Sequence, residues 1–246
     1  LGKKVEIVSA DHQNKADVGA THARTWFDRD GVDLIVNLNN TAVAIAVNNL
    51  ARERGKLVMN TGGASDILTN EHCAPTAIHY TYDSYALANG AVRGMLAQGK
   101  KEWFILGVDY AFGKAMSANI TEFVQAGGGK VVGSSYHPLN ASDFSSFLLQ
   151  AQGSKAPVIV LANATSDTVN TIKAANEFGI TKGQTIVPSI MFINDIHALG
   201  LKHGQGMVFT TGFYWDRNDD TRAWARRFFG KIKKCPPWCM PATIPP

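Results

Sequence analysis

The stretch Trp103–Gly113 constrains the fold of this chain more than any other feature of the sequence. It begins with an apolar run, Trp103–Val108, in which polar residues do not alternate, and such a run is typical of a strand buried on both faces. A helical pattern follows at once, with Met116 and Ile120 on one face, and Gly127–Gly129 ends it. A buried strand that passes directly into a helix predicts a parallel sheet.

The same alternation runs along the chain in two successive series, which indicates two parallel sheets with right-handed crossovers. The predicted strands are Lys4–Ser9, Asp33–Leu38, Leu57–Asn60 and Ile78–Tyr82 in the first series, and 103–108, Lys130–Ser135, Pro157–Ala162, Thr185–Ile190 and Met207–Thr211 in the second. Helices are predicted between them, with Asn40, Ser142 and either Ser166 or Asp167 as N-caps and with a short helix at Asn194–Leu199.

Open parallel sheets bind ligands outside the carboxyl ends of their strands. Tyr110 and Phe112 follow the strand 103–108 directly, so one interpretation is that both rings face a ligand. The other is that they pack on the next helix, and this stretch alone does not separate the two.

Composition and charge exclude several classes of function. The net charge of +4 over 246 residues comes without a basic run, which argues against nucleic-acid binding. No apolar run reaches the roughly 20 residues that a membrane helix needs. The 3 cysteines and 7 histidines lack the spacing of a metal site, and no metal or other cofactor is expected.

No catalytic motif is present either, and no catalytic residue is assigned. Gly107 to Gly113 followed by Lys114 differs from a P-loop in its spacing and lacks the Ser or Thr that holds magnesium. The acids at strand and helix starts are better explained as helix caps than as catalysts: Asp109, Asp143, Asp167 and Asp195. The strand-end loops carry amides, small residues and aromatics, which is typical of a binding cleft.

Four segments together resemble one known family: 109–113, 137–151, 195–200 and 213–216. Over about residues 3–234 the chain resembles the periplasmic solute-binding proteins of ABC transporters with the type I fold. Within them it is most similar to the branched-chain amino acid (Leu/Ile/Val) receptors, in the branch associated with aromatic acids.

The resemblance implies an α/β fold of two Rossmann-like lobes that close on a ligand. The first lobe would be residues 1–82, the second 83–212, and residues 213–234 would cross back towards the first. The fold would be incomplete at both ends. A first strand and helix, and a secretory leader, would precede Leu1. Without that first strand, we expect the strands at Lys4–Ser9 and Asp33–Leu38 to lack ladder partners, so that the first lobe is partly unfolded. Residues 235–246 have no structural period and are expected to be an out-of-frame tail caused by one lost nucleotide near codon 235.

The resemblance also implies a ligand site on the strand-end loops of both lobes. A ligand carboxylate would be held by polar residues and amides of the first lobe, and the second lobe would contribute an aromatic residue and further loops. With Tyr110 and Tyr214 as further aromatic walls, the expected ligand-binding residues are Asn40, Thr41, Gly62, Gly63, Ala64, Tyr110, Phe112, Asn163, Ala164, Thr165, Met191, Phe192 and Tyr214.

The family usually pairs an acidic residue of the second lobe with a ligand ammonium, but the corresponding position at Met191 and Phe192 is apolar. This departure favours an aromatic acid, with a branched-chain amino acid next. A local misalignment that gives the role to Asp195 is the alternative.

The implied function is a monomeric periplasmic receptor that delivers a small carboxylate to the permease subunits of an importer. A ligand-sensing regulatory domain on the same fold is the alternative function. Cys73 is either a free thiol or the partner of a cysteine outside this chain.

Overall fold

The computed structural model describes Gly2 and residues 4–232. The predicted out-of-frame tail, with Cys235 and Cys239, lies outside the described residues. The chain divides into two compact units, with the boundary after Asp83. Each unit is an α/β layer structure built on its own parallel sheet.

Unit 1 contains a three-stranded parallel sheet of order β1-β2-β3. Its elements are α1 (Ala16–Asp28), β1 (Leu34–Asn37), α2 (Thr41–Arg54), β2 (Leu57–Asn60), a 3-10 turn (Asp66–Leu68) and β3 (Ala77–His79). The predicted strand Leu57–Asn60 is confirmed, whereas the strand predicted at Ile78–Tyr82 begins one residue earlier and ends at His79.

Helix α2 begins and ends where local chemistry requires. The Asn40 side chain accepts hydrogen bonds from the amides of Ala42 and Val43, as its N-cap prediction requires. Gly55 ends the helix in the left-handed region, with φ of 61°, which glycine adopts without a Cβ clash. Between these ends, Val43 and Val47 are buried in the core of unit 1.

The strand predicted at Lys4–Ser9 is wrong, because this segment forms no ladder in the structure. Val5 and Ile7 are 81% and 87% exposed. Their alternating apolar pattern fits a strand. A strand also needs a neighbouring strand to hydrogen-bond its backbone groups, and this segment does not pair with β1, whose neighbour in the sheet is β2.

Unit 2 contains a four-stranded parallel sheet of order β5-β4-β6-β7. Its elements are α3 (Ser84–Leu96), β4 (Glu102–Val108), α4 (Ala111–Ala126), β5 (Lys130–His137), α5 (Ser145–Gly153), β6 (Val158–Ala162), α6 (Thr165–Glu177), a 3-10 turn (Ile180–Lys182), β7 (Thr185–Pro188), α7 (Ile193–Leu199), α8 (Leu201–Gly204) and α9 (Asp219–Ile232). The strand predicted from Trp103 is therefore central, paired on both sides and buried from Trp103 to Val108.

The short connection from β4 to α4 depends on Gly113. A Cβ at this position would overlap the carbonyl oxygen of Val108, so the helix packs against the end of its own strand only because residue 113 has no side chain. Beyond it, Met116, Ile120 and Val124 are fully buried, as the helical pattern predicts.

The strand predicted at Met207–Thr211 is also wrong. This segment lies along α3: a Cβ at Gly90 would meet the Thr210 side chain, and one at Gly94 would lie 3.6 Å from Val208. Met207 and Phe209 pack on the core of unit 2. The alternating apolar residues of 207–211 therefore pack on helix α3 and on the core of unit 2, and this segment does not pair with a strand.

Two predicted helix caps are wrong as well. Helix α5 starts at Ser145, and Asp143 rather than Ser142 accepts from the Ser145 amide at 2.9 Å. Helix α6 starts at Thr165, so Ser166 and Asp167 lie inside its first turn. Of the helices in the described part of the chain, none is long and apolar enough to span a membrane.

Candidate functional site

The carboxyl ends of β1 and β2 bring two loops of unit 1 into close contact. A Cβ at Gly62 would lie 2.7 Å from the Asn37 Oδ1 and 3.0 Å from the Asn39 Cα, and one at Gly63 would lie 3.0 Å from the Leu38 carbonyl oxygen. Only glycine permits this approach of the two backbones. The structure thus brings the predicted site residues Asn40, Thr41, Gly62, Gly63 and Ala64 to one edge of the first sheet.

Unusual backbone conformations mark this edge. Asn37 and Leu38 have φ of 84° and 61°, in the left-handed region that non-glycine residues seldom adopt. Strained backbone of this kind is concentrated at ligand-binding loops, where the surrounding structure holds it in place.

Several polar groups near the same edge lack partners among the described residues. The Oγ of Ser65, which follows Ala64, and the Oδ1 of Asn60 at the end of β2 are buried without a hydrogen bond. The ring of His79 is satisfied, because its Nε2 donates to the Gly63 carbonyl oxygen at 2.7 Å. Asn40 and Thr41 are buried, and the Asn40 Oδ1 is used by the helix cap.

In unit 2 the two aromatic residues after β4 differ in position. Phe112 is buried within unit 2, whereas Tyr110 is half-buried. The centroids of these two rings are 6.0 Å apart. Burial raises the pKa of the Tyr110 hydroxyl to about 12, and the nearby negative charge of Asp167 adds to the effect. Tyr110 therefore stays a neutral hydrogen-bond donor at physiological pH.

Asn163, the predicted site residue directly after β6, is fully buried in a polar network. Its Nδ2 donates to the His137 Nε2 at 3.0 Å and to the Thr171 Oγ1 at 3.3 Å, and its Oδ1 accepts from the Thr168 hydroxyl at 2.8 Å. The Nδ1–H of His137 donates to the Pro138 carbonyl oxygen at 2.8 Å. These hydrogen bonds hold the ring of His137 and the side chain of Asn163 in one buried network.

Asp167 lies beside this network, and the sequence interpretation did not assign it to the site. It is 3% exposed, its Oδ2 accepts from the Asn140 amide at 3.1 Å, and the same oxygen is 4.0 Å from the His137 Nδ1. Burial raises the pKa of the Asp167 carboxyl, while the hydrogen bond from Asn140 and the proximity of His137 oppose that rise.

The remaining predicted residues of unit 2 lie in varied surroundings. Ala164 precedes α6, and Thr165, its first residue, is exposed with φ of 55°, which is strained for a β-branched side chain. Met191 is buried in the core and Phe192 is half-buried. Tyr214 is 41% exposed.

Asp195, the alternative partner for a ligand ammonium, caps α7: its Oδ2 accepts from the Phe192 amide at 2.8 Å. Burial raises the pKa of the Asp195 carboxyl, and this hydrogen bond opposes the rise. Asp109 pairs with Lys114 at 2.9 Å on the surface.

Among the residues that the structure describes, no group of three or more His, Cys, Asp or Glu side chains could hold a metal ion. Cys73 is exposed and is a free thiol in the structure. The titratable side chains described at the two strand-end edges make hydrogen bonds within their own unit: His79, His137, Asp167 and Asp195.

Two parallel sheets, each with helices between its strands, define an α/β protein. Residues 1–244 match the model of the periplasmic binding protein family, so the chain belongs to that family.

Solved structures agree with this assignment. A periplasmic binding protein from Burkholderia mallei is 55% identical, with a TM-score of 0.92 over 96% of this chain and 63% of that chain. A branched-chain amino acid ABC transporter periplasmic ligand-binding protein from Burkholderia xenovorans LB400 is 41% identical, with a TM-score of 0.78 and the same coverage.

A more distant structure shows the same fold with a ligand. The solute-binding protein of an ABC transporter from R. palustris, in complex with 4-hydroxybenzoate, is 22% identical, with a TM-score of 0.83 over 91% of this chain and 61% of that chain. The chain thus spans less than two-thirds of the length of these proteins. No curated protein matches the chain significantly.

Proposed function

We propose that this chain is part of the solute receptor of an ABC importer, which captures a small carboxylate and delivers it to permease subunits. An aromatic acid is the favoured ligand and a branched-chain amino acid the next. The receptor acts as a monomer in the periplasm, without a cofactor and without chemical change to its ligand. Membership of the periplasmic binding protein family supports this proposal.

The observation that carries the proposal is the contrast between the strand-end edges of the two units. The edge of unit 1 offers closely packed, glycine-rich loops next to the N-terminus of α2, and the positive end of the helix dipole there favours a carboxylate. The edge of unit 2 carries Tyr110, Phe192 and the strained loop at Thr165, which suit an aromatic or branched body.

The proposal keeps the thirteen ligand-binding residues that the sequence predicts. Among the related structures, one is a ligand-binding protein of a branched-chain amino acid ABC transporter and another is a complex with 4-hydroxybenzoate, and both support the same two candidate classes.

A thermal-shift screen tests the proposal. The panel contains benzoate, 4-hydroxybenzoate, leucine, isoleucine and valine, with aniline and isoamylamine as controls that lack the carboxylate. A ligand at 100 times its Kd adds about 2.7 kcal/mol of stability, which corresponds to roughly 5–10 °C in Tm for a chain of this size. We expect carboxylates, and the aromatic ones most, to raise the Tm. Equal shifts with the controls, or none across the panel, would contradict the proposal and favour the sensing alternative.

A further inference from the structure

His79, the last residue of β3, holds the loop that follows β2 in unit 1. In the parallel pair of β2 and β3, His79 lies opposite Asn60, the last residue of β2, so the two side chains share one face of the sheet. The imidazole Nε2 lies 2.7 Å from the Gly63 carbonyl oxygen. A carbonyl oxygen can only accept a hydrogen bond, so the Nε2 carries a proton and donates it.

This hydrogen bond sets the direction of one backbone amide. No peptide bond among the described residues is cis, so the peptide that joins Gly63 to Ala64 is trans. In a planar trans peptide the C=O and the N–H point in opposite directions. Because the Gly63 oxygen is held by His79, the Ala64 N–H points away from the His79 ring.

The amides of this loop have the capacity to bind an acceptor. The Thr61 amide donates to the Asn37 carbonyl oxygen at 3.2 Å, whereas the amides of residues 62–65 donate to no group in the described part of the chain. Ala64 is nevertheless only 8% exposed. Backbone amides that are so little exposed almost always have a partner in the protein, in water or in a ligand. A carboxylate oxygen is a stronger acceptor than a neutral one.

Glycine makes this peptide mobile unless another group holds it. A Cβ at Gly63 would lie 3.0 Å from the Leu38 carbonyl oxygen, so the close approach of the two loops favours glycine there. Glycine also has the freest backbone dihedrals of any residue. The bond from His79 limits that freedom before a ligand arrives, and such preorganisation increases affinity because less order has to be imposed on binding.

We propose that His79 is a positioning residue, which holds the Gly63 carbonyl oxygen so that the Ala64 amide stays directed at the ligand carboxylate. This inference rests on the proposed function and concerns unit 1 alone. The imidazole acts through the loop, without a contact of its own to the ligand. His79 is not among the thirteen residues that the sequence predicts for the site.

Titration calorimetry of the full 246-residue chain with 4-hydroxybenzoate and with leucine tests the inference. His79→Leu removes the donor, and we expect the Kd of the probe that binds to rise about 10-fold or more, as for a weakened hydrogen bond to a charged group. His79→Gln places an N–H donor at about the reach of the imidazole Nε2, so its Kd should stay within about 3-fold of wild type.

His72→Leu is the matched control, because His72 is an exposed histidine of the same unit. It should bind the probe with the affinity of wild type. Circular dichroism melts establish that each variant is folded. A role in stability alone would lower the melting temperature of His79→Leu without a difference in Kd between folded His79→Leu and folded His79→Gln.

Two NMR measurements on the wild-type protein do not depend on how the variants fold. A long-range proton–nitrogen spectrum should show a proton on the Nε2 of His79. At saturation with the probe, the Ala64 amide proton should move downfield, as expected for an amide that donates to a carboxylate.

Four results would each overturn this inference alone: wild-type affinity in folded His79→Leu, equal losses in the Leu and Gln variants, a His79 ring protonated only at Nδ1, or an Ala64 amide that does not shift at saturation. A wild-type chain that binds neither probe would overturn the proposed function together with it.

Discussion

Asp167 is almost fully buried, and burial raises the pKa of its carboxyl. A raised carboxyl pKa means that the folded state holds the proton more tightly than the unfolded state. Ionised Asp167 therefore lowers the free energy of unfolding at neutral pH.

This property predicts a pH-dependent effect of Asp167→Asn. Below the unfolded pKa of 3.8 both side chains are neutral, and the two proteins should have nearly equal free energies of unfolding. As the pH rises through the raised pKa of the folded state, wild type should lose stability relative to the variant, and the difference should level off above it. Urea denaturation at a series of pH values from about 3.5 to about 7 measures the difference. This range runs from just below the pKa of an unfolded aspartate to well above it. A variant that is less stable than wild type at pH 7 would contradict the expectation.

For single residues, the sequence predicted the hydrogen bonds made to nearby positions in the chain. It missed those that the order of the strands creates. Asn40 was predicted as an N-cap from its neighbours alone, and its side chain accepts from the amides two and three residues on. Asp167 was interpreted as a cap for the same local reason, but its partners, Asn140 and His137, come from a different strand-end loop. The order β5-β4-β6 brings them together, and no local pattern encodes that order.

The elements show the same division between local and long-range information. The buried strand at β4 and the helix α4 agree with the prediction because continuous burial and a helical period are properties of one segment. The segments 4–9 and 207–211 have strand-like patterns but form no ladder, because pairing depends on a neighbour that the pattern does not contain.

The junction between β4 and α4 gives a prediction at this scale. Gly113→Ala places a methyl group on the Val108 carbonyl oxygen, which cannot move without disrupting the central strand, and should cost about 3 kcal/mol of unfolding free energy or more. Gly153→Ala is the matched control, since a Cβ there meets no atom within 4 Å in another helix of the same unit, α5. It should change stability by less than about 1 kcal/mol, and towards stabilisation.

Urea denaturation of both glycine variants, followed by tryptophan fluorescence, measures the two effects. Trp103 lies on β4 and is fully buried, so its emission reports on this region. Equal stability of the Gly113 and Gly153 variants would show that the junction relaxes more easily than its geometry implies.

For the whole molecule, the predicted α/β fold with parallel sheets and membership of the periplasmic binding protein family are confirmed. The strand–helix alternation determines the fold class because every crossover between parallel strands needs a helix. The ligand is a different kind of property, because it depends on side chains from several loops whose proximity only the fold creates. The thirteen predicted site residues therefore stay a prediction, although the structure places twelve of them within four residues of a strand end in their own unit: Asn40, Thr41, Gly62, Gly63, Ala64, Tyr110, Phe112, Asn163, Ala164, Thr165, Met191 and Phe192.

The central claim is reversible capture of a small carboxylate without chemical change. Equilibrium dialysis against 4-hydroxybenzoate and against leucine, followed by mass spectrometry of the recovered ligand, tests this claim most directly. The proposal predicts that one of the two binds saturably, at one molecule per chain, and is recovered with its mass unchanged. Binding that does not saturate, or a ligand that returns as a product of different mass, would contradict it.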